Sequence, residues 1–153
     1  MAYFTKKNLN VKIARIFNTY GPKMRPNDGR AIPNFINQAL KNDYITVYGD
    51  GHQTRSFCYV DDLIKGLIRL MDSNYDKPIN IGNPEDYSIK EIAYLINKTI
   101  NKKNQIKYLE ALEDDPKQRK PLINCAKKEL DWEPEVSLTK GLKNTIEFFK
   151  SYL

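Results

Sequence analysis

The sequence predicts an α/β domain with irregular, loop-heavy connections, and three observations carry that expectation. Short runs rich in branched and aromatic residues read as strands, and longer segments carry apolar residues at helical spacing. The two kinds of segment mix without a strict strand–helix–strand alternation. No G-x-G-x-x-G turn follows an early strand, so these 153 residues encode no dinucleotide pyrophosphate site of the Rossmann type. The length corresponds to one domain, 1–153, long enough to hide roughly two-thirds of its unfolded surface.

The run VKIARIF (11–17) is a strand by its branched residues, and NTYGPKMRPNDGR (18–30) a long loop broken by Gly21-Pro22, Pro26 and Asp28-Gly29. A long polar loop inside a compact domain is usually functional or disordered. AIPNFINQALKN is a helix with Ile32, Phe35, Ile36, Ala39 and Leu40 on one face, Pro33 fitting only its first turn. YITVYG (44–49) and RSFCYV (55–60) are short strands, joined in this reading by a tight hairpin at Gly49 and Gly51. Asp61 is the expected N-cap of DLIKGLIRLMDS, with Leu63, Ile64, Leu67, Ile68 and Met71 as its apolar stripe. KPINIGN (77–83) is a strand with a turn. Ser88 and Glu91 stand at capping-box spacing before a helix that buries Ile89, Ile92, Ala93 and Ile96. QIKYLE (105–110) is a strand, EDDPKQRKP (113–121) an acidic-basic loop and LINCAKKEL a helix. Trp132 is a core anchor, and a last helix turns Leu138, Leu142, Thr145 and Phe149 inward.

The net charge of +6 favours anionic partners, although the lysines are spaced rather than massed, which argues against nucleic acid. Cys58 and Cys125 form no disulfide framework and no metal spacing, which fits a reduced cytoplasmic protein. The single histidine, His52, reads as an exposed turn residue. No apolar run approaches the roughly 20 residues of a membrane span, and the N-terminal segment lacks a signal-peptide core.

Three stretches hold candidate chemistry. Asn18 and Thr19 leave the end of a strand, where ligands sit in open α/β sheets, although Asn18 fits an Asx-turn equally well. Arg25 and Arg30 bracket Asp28-Gly29. Arg30 precedes a helix and is either aimed into a cleft or an exposed, paired arginine. Tyr48, Gln53, Thr54 and Arg55 gather at the mouth of a strand. Arginine's planar fork suits phosphate and an aromatic ring suits a base, but a hairpin with a polar tip is the alternative. In the acidic-basic loop Arg119 either closes over a ribose or phosphate or takes part in internal ion pairs. Asp61 and Asp62 are read as helix capping rather than acid–base catalysis, and no nucleophile–base pair is present.

Five separated segments, ARIFNTYGPKMRPNDGRAIPNFINQAL, TVYGDGHQTRSFCYVDDLIKGL, INIGNPEDYSIKEIA, EDDPKQRKPLI and LDWEPEVSLTKGL, together resemble the extended short-chain dehydrogenase/reductase family. Within it NDGRAIPNFI is more similar to the UDP-glucuronate decarboxylases, which make UDP-xylose, than to the 4,6-dehydratases or 4-epimerases. The resemblance implies a nucleotide-sugar-binding C-terminal part, with NAD held mainly by a Rossmann half that the chain lacks. Bound NAD would oxidise C4 of the glucuronate, the 4-keto acid would lose carbon dioxide, and hydride would return to C4.

Residue by residue, the resemblance implies that Thr19, Arg25 and Arg30 approach the nicotinamide and the sugar. Arg30 is the catalytic candidate, orienting the carboxylate and stabilising developing charge. Asn18, Tyr48, Arg55 and Arg119 would be uridine-diphosphate ligands, with Gln53 and Thr54 shaping the turn that aims Arg55. Tyr3 and Lys7 formally spell Y-x-x-x-K. The resemblance sets them downstream of the family's catalytic pair, and with Lys6 they fall at the substrate-side end of the preceding helix. Lacking that pair and the glycine-rich loop, the chain is expected not to turn over substrate alone. Its first predicted strand is expected to leave an unpaired edge, giving a homo-oligomer or pairing with a complementing Rossmann half. A UDP-sugar 4-epimerase, a dTDP-glucose 4,6-dehydratase or a non-catalytic nucleotide-binding or assembly module remain open as alternatives.

Overall fold

The structure, a computed structural model, describes residues 10–151. In order it comprises β1 (Ala14–Ile16), β2 (Thr19–Tyr20), α1 (Ala31–Leu40), β3 (Ile45–Tyr48), β4 (Thr54–Ser56), β5 (Cys58–Tyr59), α2 (Val60–Asp72), β6 (Ile79–Ile81), β7 (Asp86–Ser88), α3 (Ile89–Ile100), β8 (Ile106–Leu109), β9 (Gln118–Arg119), α4 (Asn124–Leu130) and α5 (Leu138–Lys150). Short strands join in small ladders. β1 pairs with β6, β2 with β5 and β3 with β8, all parallel, while β4 lies between antiparallel β7 and parallel β9.

The expected hairpin at Gly49 and Gly51 is not formed. β3 takes β8 as its partner, and β4 takes β7 and β9. Both glycines hold positive φ, so the chain does turn there, but it turns out of one ladder and into another.

Two apolar clusters hold the elements. One packs α1, α3 and α5 around Tyr20, Ile45, Val47, Phe57 and Tyr59; the other packs α2 and α4 against β1 and β6 around Trp132. The capping box at α3 is present: Ser88 N donates to Glu91 Oε2 at 2.7 Å and Glu91 N to Ser88 Oγ at 3.1 Å. Leu138, Leu142, Thr145 and Phe149 are buried, as their spacing predicts.

Helix α2 departs from expectation twice. Its N-cap is Tyr59, with no side-chain cap bond, and Asp61 and Asp62 fall in the first turn, where negative charge suits the helix dipole. The buried Asp62 carboxylate instead accepts from Glu135 N (3.1 Å) and Val136 N (2.9 Å), pinning the approach to α5. The predicted stripe also divides between two faces. Leu63, Gly66 and Leu70 face inward, whereas Ile64, Ile68 and Met71 are 47%, 52% and 70% exposed. Gly66 permits the inward approach, since a Cβ there would lie 2.9 Å from both Ile81 and the Trp132 ring. Trp132 is buried and donates from Nε1 to the Asp62 carbonyl at 3.0 Å.

Candidate functional site

The site begins where β1 changes partners. Phe17 N donates to the Ile81 carbonyl (3.2 Å) and Cys58 N to the Asn18 carbonyl (2.8 Å), so the backbone leaves β6 and takes up β5. This step carries Asn18 and Thr19 to the carboxyl end of β1. Thr19 Oγ1 donates to the Phe17 carbonyl at 3.0 Å.

A cavity of about 500 Å³ opens there. The first turn of α1, preceded by Arg30, forms one wall, and Tyr48, Gln53 and Arg55 form another. Tyr20, Phe35, Phe57 and Ile89 supply the apolar floor, and Leu112 and Asp115 reach over from the loop after β8. Six candidate residues therefore meet in one place: Asn18, Thr19, Arg30, Tyr48, Gln53 and Arg55. A shallower cleft of about 640 Å³ shares Asn18, Thr19 and Arg30 with it and adds Arg119. Arg25 is exposed and lines neither space. Tyr3, Lys6 and Lys7 lie outside the described residues.

Arg55 is the most constrained of these groups. It is only 8% exposed, donates from NH1 to the Thr54 carbonyl at 2.7 Å, and forms an ion pair with Asp115. Gln53 braces the same loop, with Nε2 donating to the Tyr48 carbonyl (2.9 Å) and to Asp115 Oδ2 (3.4 Å). Arg30 is mostly exposed and turned back on Asp28: Nε donates to Oδ2 at 2.8 Å, while the backbone N donates to Oδ1 at 2.9 Å. The guanidinium side of this pair is 58% exposed while the Asp28 side chain is 14% exposed, so a second anion can reach Arg30 from solvent.

Two charged residues of the 113–121 loop pair with groups outside it. Asp115 takes Arg55, and Lys120 takes Asp86 at 3.2 Å. Asp86, on β7, also accepts from Gln118 Nε2 (2.6 Å) and Thr54 Oγ1 (2.8 Å). These donors, Gln118 first, hold its carboxyl down at about 2.

Two residues of this region carried no sequence signal. Gln38 clasps Thr46 at the cavity wall, donating to its Oγ1 (2.8 Å) and accepting from its N (3.0 Å), yet a glutamine on a helix reads as surface. Asp115 reads as one charge among several in a solvated loop. His52 is exposed, as expected. Cys58 is buried beside the site, and burial, then the Asp62 charge, pushes its thiol up to about 12, so it is an inert packing group rather than a nucleophile. No helix among the described residues is long and apolar enough to cross a membrane.

Comparison with known proteins places this geometry among relatives. A sequence profile described as the NAD dependent epimerase/dehydratase family matches residues 1–82. UDP-glucuronic acid decarboxylase 1 of Xenopus tropicalis is 49% identical over 152 residues, 99% of this chain and 36% of that protein. UDP-glucuronic acid decarboxylase 3 of Arabidopsis thaliana is 50% identical over 148 residues, 97% of this chain and 43% of that protein. The chain thus spans well under half the length of these curated relatives. The crystal structure of UDP-glucuronic acid 4-epimerase from Bacillus cereus, in complex with UDP-glucuronic acid and NAD, superposes with a TM-score of 0.91 at 32% identity, covering 99% of this chain and 49% of that one.

Proposed function

The chain belongs to the NAD dependent epimerase/dehydratase family, and we propose that its single 1–153 domain supplies the nucleotide-sugar-binding part of a UDP-glucuronate decarboxylase, which makes UDP-xylose. The observation that carries this reading is the buried Arg55 guanidinium at the wall of a cavity that also gathers Asn18, Thr19, Arg30, Tyr48 and Gln53. A diphosphate satisfies a buried guanidinium through paired, charge-assisted bonds. Tyr48 offers an aromatic face to the uracil, Asn18 an amide to the diphosphate, and Arg119 a second cation from the adjoining cleft. Gln53 and Thr54 set the turn and ladder that aim Arg55.

Arg30 is the catalytic assignment. Exchanging Asp28 for the sugar carboxylate, it would orient that group and stabilise charge developing beside it. Thr19 and Arg30 are also assigned to the nicotinamide side by resemblance. Arg25 is assigned there by resemblance, and Tyr3, Lys6 and Lys7 are assigned to the sugar side on the same ground. NAD would supply the hydride chemistry. This chain's residues do not fit a whole dinucleotide, because no glycine-rich turn opens a helix here, so the cofactor is assigned mainly to another half.

Two tests follow. Calorimetry with UDP, UDP-glucuronate, dTDP-glucose and NAD should show a preference for UDP-glucuronate. Preference for dTDP-glucose would favour a 4,6-dehydratase, and binding of none a non-catalytic assembly module. Incubated with NAD and UDP-glucuronate, the chain alone should release no carbon dioxide and no UDP-xylose, and clear turnover would overturn the assignment of catalysis to a second half. A 4-epimerase reading has its own support in the Bacillus cereus likeness. In the completed enzyme, release of carbon dioxide decides between the two.

The partner is assigned from the outer face of β1 and α2. Among the described residues β1 pairs only with β6; Val11, Ile13 and Ile16 are exposed, as are Ile64, Ile68 and Met71 on α2, which packs against β1. An apolar helix face beside an open strand edge favours association. We assign it to a complementing Rossmann half, or to a second copy when that half is missing. Size-exclusion chromatography with light scattering should show dimers or larger species of the isolated chain; a clean monomer would count against this. Two free thiols fit a reducing compartment, and we assign the protein to the cytoplasm.

A further inference from the structure

We propose that Asp86 is a positioning residue, whose carboxylate fastens β9 to β4 and thereby sets where Arg119 stands beside Arg55. The inference rests on the nucleotide-binding reading given above.

The need for such a fastening is visible in the loop itself. Residues 110–120 are all exposed, and Leu112, their largest apolar side chain, is more than half exposed. Little apolar burial therefore holds this segment in place, and its position depends on polar ties. β9 is two residues long. Its link to β4 includes one bond from Thr54 N to the Lys117 carbonyl at 2.9 Å. A ladder so short fixes register weakly by itself.

Asp86 supplies the missing constraint. It sits on β7, on the far side of β4 from β9, and opposite Ser56 in the antiparallel register. Its two oxygens reach across β4 to Gln118 and Lys120, the residues flanking Arg119, and also hold Thr54, which precedes Arg55. Both arginines thus have neighbours tied to one carboxylate. Alternation along a strand puts those neighbours on one face and the arginines on the other. Thr54, Gln118 and Lys120 face Asp86, leaving Arg55 and Arg119 paired on the opposite face in register. Their backbones are roughly 4.8 Å apart at that rung. Two like charges there repel each other unless an anion lies between them. Arg55 is held by the Thr54 carbonyl and Asp115, so the residue Asp86 holds in place before the ligand arrives is Arg119, a preorganisation that raises affinity without any contact from Asp86 itself.

The test is a double-mutant cycle read by UDP affinity, with amide exchange at Thr54 as the report on the ladder. Asp86→Ala should weaken UDP binding about tenfold and speed exchange of the Thr54 amide. In an Arg119→Ala background the same substitution should cause almost no further loss of affinity, while exchange still quickens. A merely structural carboxylate would lower affinity equally in both backgrounds, and that result would overturn the proposal, as would a loss below about twofold in the wild-type background. If the alanine variant does not fold, the isosteric Asp86→Asn is judged by the same cycle. Failure of the unsubstituted chain to bind UDP would instead overturn the nucleotide-binding reading, and this inference with it.

Discussion

Replacing Arg55 with alanine should lower UDP affinity by roughly a hundredfold, about 3 kcal/mol, the scale of one to two charge-assisted hydrogen bonds. The guanidinium is buried, so the phosphate it meets is bonded with little competition from water, and Arg119, on the same rung but exposed, replaces only part of that grip. Arg55→Lys should recover only part of the affinity, because an ammonium cannot hold the Thr54 carbonyl and a phosphate with one planar fork. The same arginine also holds Asp115, which raises a second explanation for any loss: the loop over the cavity falls open. Asp115→Asn separates the two. If Arg55 acts by gripping phosphate, removing the Asp115 charge frees the guanidinium and leaves affinity unchanged or higher. If Arg55 acts only by holding the loop, Asp115→Asn should cost as much as Arg55→Ala. A change of less than about threefold for Arg55→Ala would sink the diphosphate assignment. Isothermal calorimetry on the three variants decides the matter.

What the sequence made legible follows from the range over which each signal acts. Helices were readable because apolar spacing and caps are local. Ser88 and Glu91 announced α3, and Leu138, Leu142, Thr145 and Phe149 announced the buried face of α5. Strand partners were not readable. Gly49 and Gly51 allow a turn, but whether β3 meets β4 or β8 depends on which surface is buried by residues 61 positions away. Helix α2 misled for a related reason. Ile64, Ile68 and Met71 are as apolar as Leu63 and Leu70, and hydrophobicity alone cannot say that one line faces Trp132 and the other faces out.

The site divides in the same way. Asn18, Thr19, Arg30, Tyr48, Gln53 and Arg55 were singled out as separate stretches, and the fold brings them to one cavity. Arg119 falls in the adjoining cleft, on the rung beside Arg55. The carboxylates that organise these cations were missed as such. Asp86 and Asp115 act on residues 32 and 60 positions away, and a charge in a polar loop carries no mark of its distant partner.

Gly141→Ala should unfold the protein more easily by about 3 kcal/mol, at the upper end of what overpacking costs. A Cβ at this position of α5 would lie 2.1 Å from Tyr20 Oη, 2.8 Å from Tyr20 Cζ and 2.8 Å from the Tyr59 ring. Neither ring has room to yield. Tyr20 stands edge-on to Tyr59 at 5.7 Å and to Phe57 at 6.4 Å, and its hydroxyl donates to the Leu138 carbonyl at 3.3 Å. The helix is equally committed, through Leu142, Ile146 and Phe149 in the same core. In urea the midpoint should fall with the slope unchanged, which marks a loss of stability rather than a change in the unfolded chain. The damage should also reach the site, because Tyr20 floors the cavity and directly follows Asn18 and Thr19. UDP affinity should therefore fall although residue 141 touches no ligand. Tyr20→Phe removes the atom nearest the new methyl group, so the double variant should recover part of both losses, a non-additivity expected only of groups in contact. Strict additivity would mean that α5 shifts away from β2 as a body, and that Tyr20 does not link the helix to the cavity.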